Sequence, residues 1–220
     1  MTDAIARRQQ AGLDLLRAAR ILPIVTADDA EQAVAVARAL QDGGLGTIEL
    51  TLRTPAALAA IAAIKRALPS VVVGAGTVLD AAQLGAAEAA GADFIVTPGV
   101  SRTMLDVLAG CALPVVPGAA TPSELLDLRE RGFRLAKLFP ASAVGGVALL
   151  KALQGPLPDL MFCPTGGIGE SDAADYLALG NVACVGGSWM VPRDWLQAGD
   201  WDAIRASAER ARALADGVRR

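Results

Sequence analysis

Two kinds of hydrophobic pattern alternate along this chain. Short apolar runs bounded by turn-forming residues are each followed by a longer segment in which apolar residues recur every three or four positions. The short runs predict buried strands, and the longer segments predict helices with one apolar face. The eight predicted strands cover residues 21–25, 46–52, 71–73, 93–96, 113–116, 134–139, 160–163 and 182–185.

Helices are predicted before the first strand, between successive strands and after the last one. Asp28 is predicted to cap the second helix, which ends at Gly43 and Gly44 because glycine favours the end of a helix. The predicted helices cover about 3–20, 30–40, 55–68, 81–90, a segment from about 102, 122–131, 147–154, 170–179, a short segment near 195, and 201–215.

The regular order of these elements predicts the fold class. Eight strand–helix units recur at a spacing of roughly 20–27 residues, the length of a minimal strand–helix–strand step. No Ser- or Pro-rich linker divides them, so residues 1–220 are predicted to form one domain. Alternating strands and helices indicate an α/β fold with a parallel sheet, and eight units fit a (β/α)8 TIM barrel with an extra N-terminal helix. A doubly wound open sheet is the alternative.

Composition and charge narrow the class of protein. Hydrophobic residues make up 53% of the 220 residues but aromatic residues only 4%, so the core is expected to consist of Ala, Val, Leu and Ile. Such a core suits helices packed on a parallel sheet. The net charge of -3, the isoelectric point near 5.0 and the lack of a basic stretch argue against nucleic acid as a partner.

The cysteines and the N-terminal segment indicate a reducing compartment. Cys111, Cys163 and Cys184 are widely spaced and form no CxxC motif, so disulfides are not expected and the cytoplasm is the predicted location. The N-terminal segment has no continuous apolar stretch and no small-residue cleavage site, which favours an amphipathic helix over a signal peptide. No apolar run is long enough to span a bilayer, so no membrane partner is predicted.

The sequence contains no histidine. Proton transfer must therefore be carried out by Glu, Asp, Lys, Tyr or water. A catalytic metal held by imidazole ligands is excluded as well, so neither a metal nor another cofactor is predicted.

Lys137 occupies a position where the local pattern calls for an apolar residue, in the short apolar run 135–139 that Pro140 ends. Lysine is rarely buried without a partner. Burial disfavours the charged ammonium form and leaves a neutral amine that can attack a carbonyl carbon. The alternative is a lysine whose head group extends to the solvent at the end of the strand. This run alone leaves both interpretations open.

Strand two alternates between polar and apolar residues. Ile48, Leu50 and Leu52 share one face, which must meet the helices, so Glu49 on the opposite face is predicted to point inward. An inward Glu49 could form a structural ion pair with Arg53 or Lys137. If the face of strand six that carries Lys137 is also inward, the two residues converge in one cavity, and a catalytic role becomes the better interpretation.

Polar residues and glycines concentrate at the predicted carboxyl ends of the strands, where barrels of this class carry their active sites. Thr165-Gly166-Gly167 ends strand seven, and Gly186-Gly187-Ser188 ends strand eight. The loops after these two strands are the recurrent phosphate site of such barrels, although a lone Gly-Gly is usually a turn. Cys163 and Cys184 are interpreted as inert core thiols. Lys65 and Lys151 are interpreted as solvated helix residues.

These strand ends resemble one known family closely. The matching motifs are Glu49-Leu-Thr-Leu-Arg53-Thr54, Gly74-Ala-Gly-Thr-Val78, Thr97-Pro-Gly99, Lys137-Leu-Phe-Pro-Ala141, Phe162-Cys-Pro-Thr-Gly-Gly-Ile168 and Gly186-Gly-Ser-Trp189. They resemble the 2-keto-3-deoxy-6-phosphogluconate (KDPG) aldolases of the Entner–Doudoroff pathway, class I aldolases that also cleave 2-keto-4-hydroxyglutarate (KHG). The likeness runs in order and with matching spacing from about residue 21 to the C-terminal helix. A related phosphogalactonate aldolase shares the scaffold but lacks the Thr-Leu-Arg-Thr run.

The resemblance implies an activity and a role for several residues. The activity is cleavage of KDPG to pyruvate and glyceraldehyde 3-phosphate, and of KHG to pyruvate and glyoxylate. Lys137 would form a Schiff base with the C2 ketone, so no separate cofactor is needed. Glu49 would transfer protons through a water. Arg53 and Thr77 would hold the carboxylate of the pyruvyl half.

The remaining implied roles concern the walls of the site and the phosphate. Pro98 and Phe139 would wall the cavity, and Thr165 would orient the intermediate. The implied phosphate-binding residues are Gly166, Gly167, Gly186, Gly187 and Ser188. The resemblance also implies a homotrimer.

Two other classes of function compete with this interpretation. The first is a different phosphosugar barrel enzyme, either an isomerase or epimerase that uses Glu49 as a base, or a phosphogalactonate aldolase. The second is a non-catalytic sugar-phosphate binding module, which would bind its ligand without turnover. The sequence does not rank KDPG against KHG as the preferred substrate.

Overall fold

The computed structural model describes residues 2–218, so Met1, Arg219 and Arg220 of the predicted 1–220 domain lie outside the described range. Strands and helices alternate along this range, as predicted. The strands are β1 (Ile21–Val25), β2 (Thr47–Thr51), β3 (Val72–Gly76), β4 (Phe94–Val96), β5 (Val115–Val116), β6 (Gly118–Ala119), β7 (Leu135–Leu138), β8 (Met161–Phe162) and β9 (Val185–Gly187).

The helices lie before, between and after these strands. They are α1 (Thr2–Ala19), α2 (Ala30–Asp42), α3 (Ala57–Ala67), α4 (Ala81–Ala89), α5 (Arg102–Gly110), α6 (Pro122–Glu130), α7 (Gly146–Leu153), α8 (Ala173–Leu177), α9 (Arg193–Ala198) and α10 (Trp201–Gly217), with a 3-10 turn at Ser142–Val144. None of the helices within residues 2–218 is long and apolar enough to cross a membrane.

Side-chain caps start several helices, and one predicted cap is wrong by a single residue. The side chain of Asp29, not Asp28, accepts the backbone N–H of Gln32 at 2.8 Å. The backbone N–H of Asp28 donates in return to the Gln32 side chain at 3.0 Å. The two bonds together satisfy donors that a helix N-terminus leaves free, so Asp28 lies one position outside the cap.

All strand pairs are parallel, which confirms the predicted α/β class with a parallel sheet. Six strands form a sheet in the order β5-β4-β3-β2-β1-β9, and three form a sheet in the order β6-β7-β8. Two isolated bridges, Phe162 with Val182 and Thr165 with Gly186, join the β8 segment to the β9 segment.

The fifth strand, predicted at 113–116, is observed as β5 at Val115–Val116, and a second short strand that was not predicted, β6, follows after Pro117. Proline has no backbone N–H, so it cannot donate to a neighbouring strand and interrupts the ladder. The Pro117 carbonyl still accepts the backbone N–H of Lys137 at 2.8 Å. The backbone therefore continues past the break, with β5 paired to β4 and β6 paired to β7.

Two strands extend further into glycine-rich sequence than the apolar pattern predicts. β3 continues to Gly76, and β9 covers Val185–Gly187 instead of the predicted 182–185. The glycines are held by backbone pairing, because Gly76 pairs with Thr51 and Gly186 pairs with Leu22. An apolar pattern does not register residues that have no side chain, so the prediction ended β3 early and placed β9 too far towards the N-terminus.

The buried side chains form two clusters on opposite faces of the strands. The larger cluster lies between the strands and the helices and includes Ile48, Leu50, Ala136 and Leu138. The smaller cluster lies on the opposite, inward face. Its members are Leu16, Leu22, Phe94, Val96, Val116, Leu135, Cys163, Ala183 and Cys184. The predicted alternation of β2 and β7 is therefore confirmed, since their apolar residues meet the helices.

Candidate active site

Glu49 and Lys137 face each other across the inward side of the strands. The Lys137 Nζ lies 3.0 Å from Glu49 Oε1 and 3.3 Å from Oε2, and their side chains are only 6% and 1% exposed. Glu49 comes from β2 and Lys137 from β7, so the ion pair joins the two sheets. The predicted convergence of these residues in one cavity is confirmed. Ion pairs this deeply buried carry a large desolvation cost and are weak evidence for stability alone.

A cavity of about 160 Å³ opens beside this ion pair at the carboxyl ends of the strands. It is lined by Ile24, Glu49, Arg53, Lys137, Phe139, Thr165, Gly166, Gly167, Ile168, Gly187 and Ser188. The Lys137 Nζ also lies over the Phe139 ring, 5.4 Å from its centroid. The site therefore combines one buried amine, one buried carboxylate, an aromatic wall and a glycine-rich rim.

Arg53 and Thr77 meet at the exposed side of the cavity. The Arg53 Nε donates to Thr77 Oγ1 at 3.3 Å, which brings together the two residues predicted to hold a carboxylate. Thr77 has a φ of 61°, a left-handed conformation that is uncommon for a β-branched residue. Such backbone strain is concentrated at functional sites, because the surrounding structure must enforce it.

Thr165 lies on the opposite side of the cavity and is buried. Its hydroxyl donates to the Cys163 carbonyl at 3.3 Å, and its backbone bridges to Gly186. The Cys163 sulfur is 4.0 Å from the Thr165 hydroxyl and buried in the inward cluster, as expected for an inert core thiol. Thr165 is therefore held in one orientation at the cavity wall.

Gly166 and Gly167 form the glycine-rich rim with φ values of 101° and 73°. These left-handed conformations favour glycine, and the absence of side chains exposes backbone N–H groups to a ligand. Ser188 completes the rim and is exposed. Helix α9 has Pro192 at its N-cap and no side-chain cap, so Ser188 does not cap the helix that follows it.

Three of the predicted site residues lie outside the cavity lining. Thr77 stands behind Arg53, and Gly186 stands behind Thr165, whose hydroxyl would lie 2.3 Å from a Cβ at that glycine. The Pro98 backbone packs against Gly118.

Ile24 and Ile168 line the cavity and were not predicted. Ile24 is the partly exposed residue of a buried strand, but a sequence does not reveal such exposure.

A larger cavity of about 440 Å³ adjoins the first one and shares Ile24 and Ser188 with it. Its other lining residues are Thr26, Asp28, Gln32, Thr54, Val191, Pro192, Arg193, Leu196 and Gln197. A ligand longer than the inner cavity can therefore extend past Ser188.

Three titratable groups away from the site differ in their environments. Burial raises the pKa of the Cys111 thiol to about 11, and Glu88 accepts from its sulfur at 3.3 Å, so this thiol stays protonated and unreactive. Lys65 was predicted to be solvated, which is wrong, because its Nζ bonds both carboxylate oxygens of Asp93 at 2.7 and 3.0 Å. Lys151 is exposed, as predicted.

Comparisons with known proteins identify the family. A family model described as KDPG and KHG aldolase matches residues 13–207. The 2-dehydro-3-deoxy-phosphogluconate aldolase of Pseudomonas aeruginosa is 46% identical over 197 residues, which are 90% of this chain and 90% of that protein. The KHG/KDPG aldolase of Escherichia coli is 44% identical over 197 residues, which are 90% of this chain and 92% of that protein.

A solved structure is similar along nearly the same length. It is the crystal structure of KDPG aldolase from Legionella pneumophila with pyruvate captured at low pH as a covalent carbinolamine intermediate. The TM-score is 0.89 at 38% identity, and the alignment covers 91% of this chain and 97% of that one. The resemblance of the strand-end motifs is confirmed, and the chain belongs to the KDPG and KHG aldolase family.

Proposed function

We propose that this protein is a lyase, a class I aldolase that cleaves KDPG to pyruvate and glyceraldehyde 3-phosphate. The same chemistry cleaves KHG to pyruvate and glyoxylate. The observation that carries the proposal is the buried contact between Lys137 and Glu49 beside the inner cavity, with the Nζ 3.0 Å from Oε1. Family membership supports the substrate class, since the matching family is that of the KDPG and KHG aldolases.

The ion pair itself supplies the nucleophile. Glu49 is within hydrogen-bond distance of the Lys137 ammonium and can accept its proton, which leaves a neutral amine. The amine attacks the C2 ketone of the substrate and forms a carbinolamine. Glu49 returns its proton to the carbinolamine hydroxyl, which leaves as water and gives a protonated imine. The pyruvate adduct of the Legionella enzyme is described as such a carbinolamine.

The imine then makes the carbon–carbon cleavage possible. Glu49 removes the C4 hydroxyl proton through a water, the C3–C4 bond breaks, and its electron pair moves to the imine nitrogen to form an enamine. The C4 oxygen becomes the carbonyl of the departing aldehyde. The protonated Glu49 then returns a proton to C3, and hydrolysis of the imine releases pyruvate and the free Lys137 amine.

The rest of the inner cavity binds the pyruvyl half of the substrate. The Arg53 guanidinium and the Thr77 hydroxyl, already in contact with each other, hold the C1 carboxylate. Phe139 lies beside the Lys137 amine and forms a wall of the cavity, and we assign Pro98 to the same wall. Thr165 orients the intermediate on the opposite side.

The glycine-rich rim binds the phosphate. Gly166, Gly167, Gly187 and Ser188 line one side of the cavity, where backbone N–H groups and a hydroxyl suit an anion. Gly186 contributes by leaving space behind Thr165. The adjoining cavity past Ser188 gives a six-carbon substrate the additional room that it needs.

We place both sheets in one complete (β/α)8 barrel, in which β5 and β6 are halves of a single strand. The bridges from Phe162 to Val182 and from Thr165 to Gly186 support closure between β8 and β9. The hydrogen bond from the Lys137 backbone N–H to the Pro117 carbonyl supports continuity at the other junction.

Residues 1–220 then form one domain, with α1 as an extra helix at the amino ends of the strands. As the resemblance implies, the barrels assemble as a homotrimer, and the three buried, widely spaced cysteines suit the reducing cytoplasm.

The reaction proposed for Lys137 uses no metal. Among residues 2–218, no group of three or more His, Cys, Asp or Glu residues could hold a metal ion. The imine takes up the electrons that a metal-dependent aldolase would stabilise with a Lewis acid. We therefore expect overnight chelation to leave the cleavage rate unchanged. Activity that is lost on chelation and returns with Zn²⁺ or Mg²⁺ would contradict the Schiff-base route.

Reductive trapping tests the proposal directly. Borohydride added with pyruvate should reduce the imine and attach the three-carbon unit to the peptide that contains Lys137. The controls are Lys65, which is paired with Asp93, and Lys151, which is exposed. Label on either control lysine would contradict the assignment. An isomerase, an epimerase or a binding module would give no trapped adduct and no pyruvate.

A further inference from the structure

Gly76 lies directly behind the Glu49 carboxylate. It is the last residue of β3, and a Cβ built on it would lie 2.2 Å from Glu49 Oε1, 2.6 Å from Cγ and 2.7 Å from Cδ. These three atoms are the nearest to that point, and real Cβ atoms essentially never approach another atom within 3.0 Å. Any residue other than glycine would therefore collide with Glu49 in its present position.

The backbone does not explain why a glycine stands here. Gly76 is not among the glycines with positive φ, so its strand conformation is open to any residue. Its carbonyl accepts the backbone N–H of Leu52 at 2.8 Å, and its neighbour across the ladder is Thr51. An alanine would keep these backbone bonds, and its methyl group would meet the Glu49 side chain first.

The Glu49 carboxylate cannot move away from Gly76 without leaving its present contacts. Lys137 is 3.0 Å away, and both side chains are almost fully buried. A methyl group at position 76 would push the carboxylate from the place where it meets the amine. Proton transfer requires donor and acceptor within about 2.6–3.2 Å, so even a small displacement matters.

We propose that Gly76 is a positioning residue of the aldolase, which sets the place of the Glu49 carboxylate by leaving the space that a side chain would fill. The inference rests on the proposed role of Glu49 as the proton-transfer group. Gly74, two residues earlier on the same face, provides a comparison, because its Cβ would lie 2.2 Å from the Phe94 ring. The same strand therefore leaves space for an apolar ring at one glycine and for a carboxylate at the next.

The test separates the base from the amine. In the absence of an aldehyde, the enzyme should exchange the methyl hydrogens of pyruvate with solvent, because forming the enamine removes one of them. In D₂O, Gly76→Ala should lower this exchange by roughly 10- to 100-fold, a fraction of the full general-base effect. Borohydride trapping of pyruvate on Lys137 should persist, though more slowly. An exchange rate within twofold of the natural enzyme would overturn the proposal.

Two control variants distinguish positioning from folding. Gly74→Ala should lower the thermal midpoint through its clash with Phe94, while the exchange rate of the folded fraction stays normal. Gly85→Ala, in helix α4 with nothing within 4 Å of the new methyl group, should leave the exchange rate unchanged and should raise the thermal midpoint slightly, because alanine favours a helix more than glycine does. If Gly74→Ala slowed exchange as much as Gly76→Ala, the loss would reflect a disturbed strand and the proposal would be wrong.

A double-mutant cycle gives the decisive comparison and covers the case that Gly76→Ala folds poorly. Glu49→Ala removes both the carboxylate and the atoms that Gly76→Ala would strike. Adding Gly76→Ala to Glu49→Ala should therefore change the residual exchange rate less than twofold and leave the thermal midpoint unaltered. Equal losses in both backgrounds would show that Gly76 serves the backbone alone. Failure of the natural enzyme to trap or exchange pyruvate would instead reject the proposed function itself.

Discussion

The inward side of the parallel strands has two halves that are built from the same strands but have opposite character. Towards the amino ends, Leu22, Phe94 and Leu135 pack against one another, and Leu16 of α1 closes this end. Towards the carboxyl ends, Glu49, Lys137 and Thr165 surround a cavity that opens to solvent. The half at the amino ends, called the lower half below, is a closed apolar core. The half at the carboxyl ends, called the upper half, holds the buried charges.

The change from one half to the other takes only two residues along a strand. In β7, Leu135 belongs to the apolar cluster, and Lys137, next on the same face, belongs to the ion pair. In β3 the corresponding step runs from Gly74 beside Phe94 to Gly76 beside Glu49. The apolar half thus fixes the backbone from which the reactive groups project, and burial there offsets the cost of desolvating the ion pair.

The largest effect on activity is expected when an apolar residue, as found in the lower half, replaces the reactive lysine of the upper half. Lys137→Met should abolish trapping and lower kcat by more than about 10³-fold, because no amine remains to form the imine. The lone Glu49 would be left buried and unpaired, which costs about 3–5 kcal/mol of unfolding free energy. Chemical denaturation and a pyruvate-release assay measure the two effects.

A second substitution in the same protein tests the electrostatic part of that explanation. The Lys137→Met/Glu49→Gln variant removes both charges and should regain most of the lost stability while staying inactive. A double variant as unstable as the single one would show that packing, rather than an unpaired charge, accounts for the loss.

Glu49→Gln should give the next largest effect on activity. It keeps the shape of the side chain but removes the proton acceptor, so kcat should fall by roughly 10²–10⁴-fold. Pyruvate should still be trapped on Lys137, though more slowly, because imine formation also needs proton transfers. Cleavage near the natural rate would show that water or another group moves the proton.

The sequence predicted the residues of the polar half of the interior, although it did not give their distances, and the reason is physical. Alternation along β2 decides which face meets the helices and so predicts that Glu49 points inward. For β7 the alternation puts Lys137 and Leu135 on one face, and the sequence left open whether that face is inward. The glycine-rich ends were recognised as a site from residue type, without knowledge of their exact position.

The features that the sequence did not predict depend on atoms in space. The unpredicted strand β6 follows Pro117, and β9 lies closer to its glycines than predicted, because ladders depend on backbone pairing that hydrophobicity does not report. The contact between Gly76 and Glu49 joins neighbouring strands and leaves no pattern in either one. Ile24 lines the cavity although its strand looks uniformly apolar in the sequence.

A smaller effect is expected at the rim of the upper half, where recognition is separate from chemistry. Ser188 lines both cavities, and a hydrogen bond to a charged group contributes about 1.5–3 kcal/mol. Ser188→Ala should therefore lower kcat/KM for KDPG by about ten- to a hundredfold. Cleavage of KHG, which has no phosphate, should change much less.

The thermal midpoint and a distant serine provide the controls for this variant. Because α9 has no side-chain cap, Ser188→Ala should leave the midpoint unchanged. Ser171→Ala, at an exposed serine that contacts Asp172, should affect neither substrate. Equal losses on KDPG and KHG would remove Ser188 from the phosphate site.

The smallest effect on catalysis is expected at the amino ends, where Gln9 of α1 joins two strands. Its buried amide donates to the Val115 carbonyl at 2.8 Å and accepts the backbone N–H groups of Arg134 and Leu135, each at 2.8 Å. Gln9→Ala would leave these backbone groups unsatisfied, at a cost of about 1–3 kcal/mol of unfolding free energy.

Gln10→Ala, which removes only an exposed contact with Asp14, is the matched control and should cost a few tenths of a kcal/mol. Urea titration should show a lower unfolding free energy for Gln9→Ala alone, with kcat per folded molecule unchanged. A reduced kcat would mean that the apolar half does more than support the strands, since packing at the amino ends would then also set the geometry of Lys137 and Glu49.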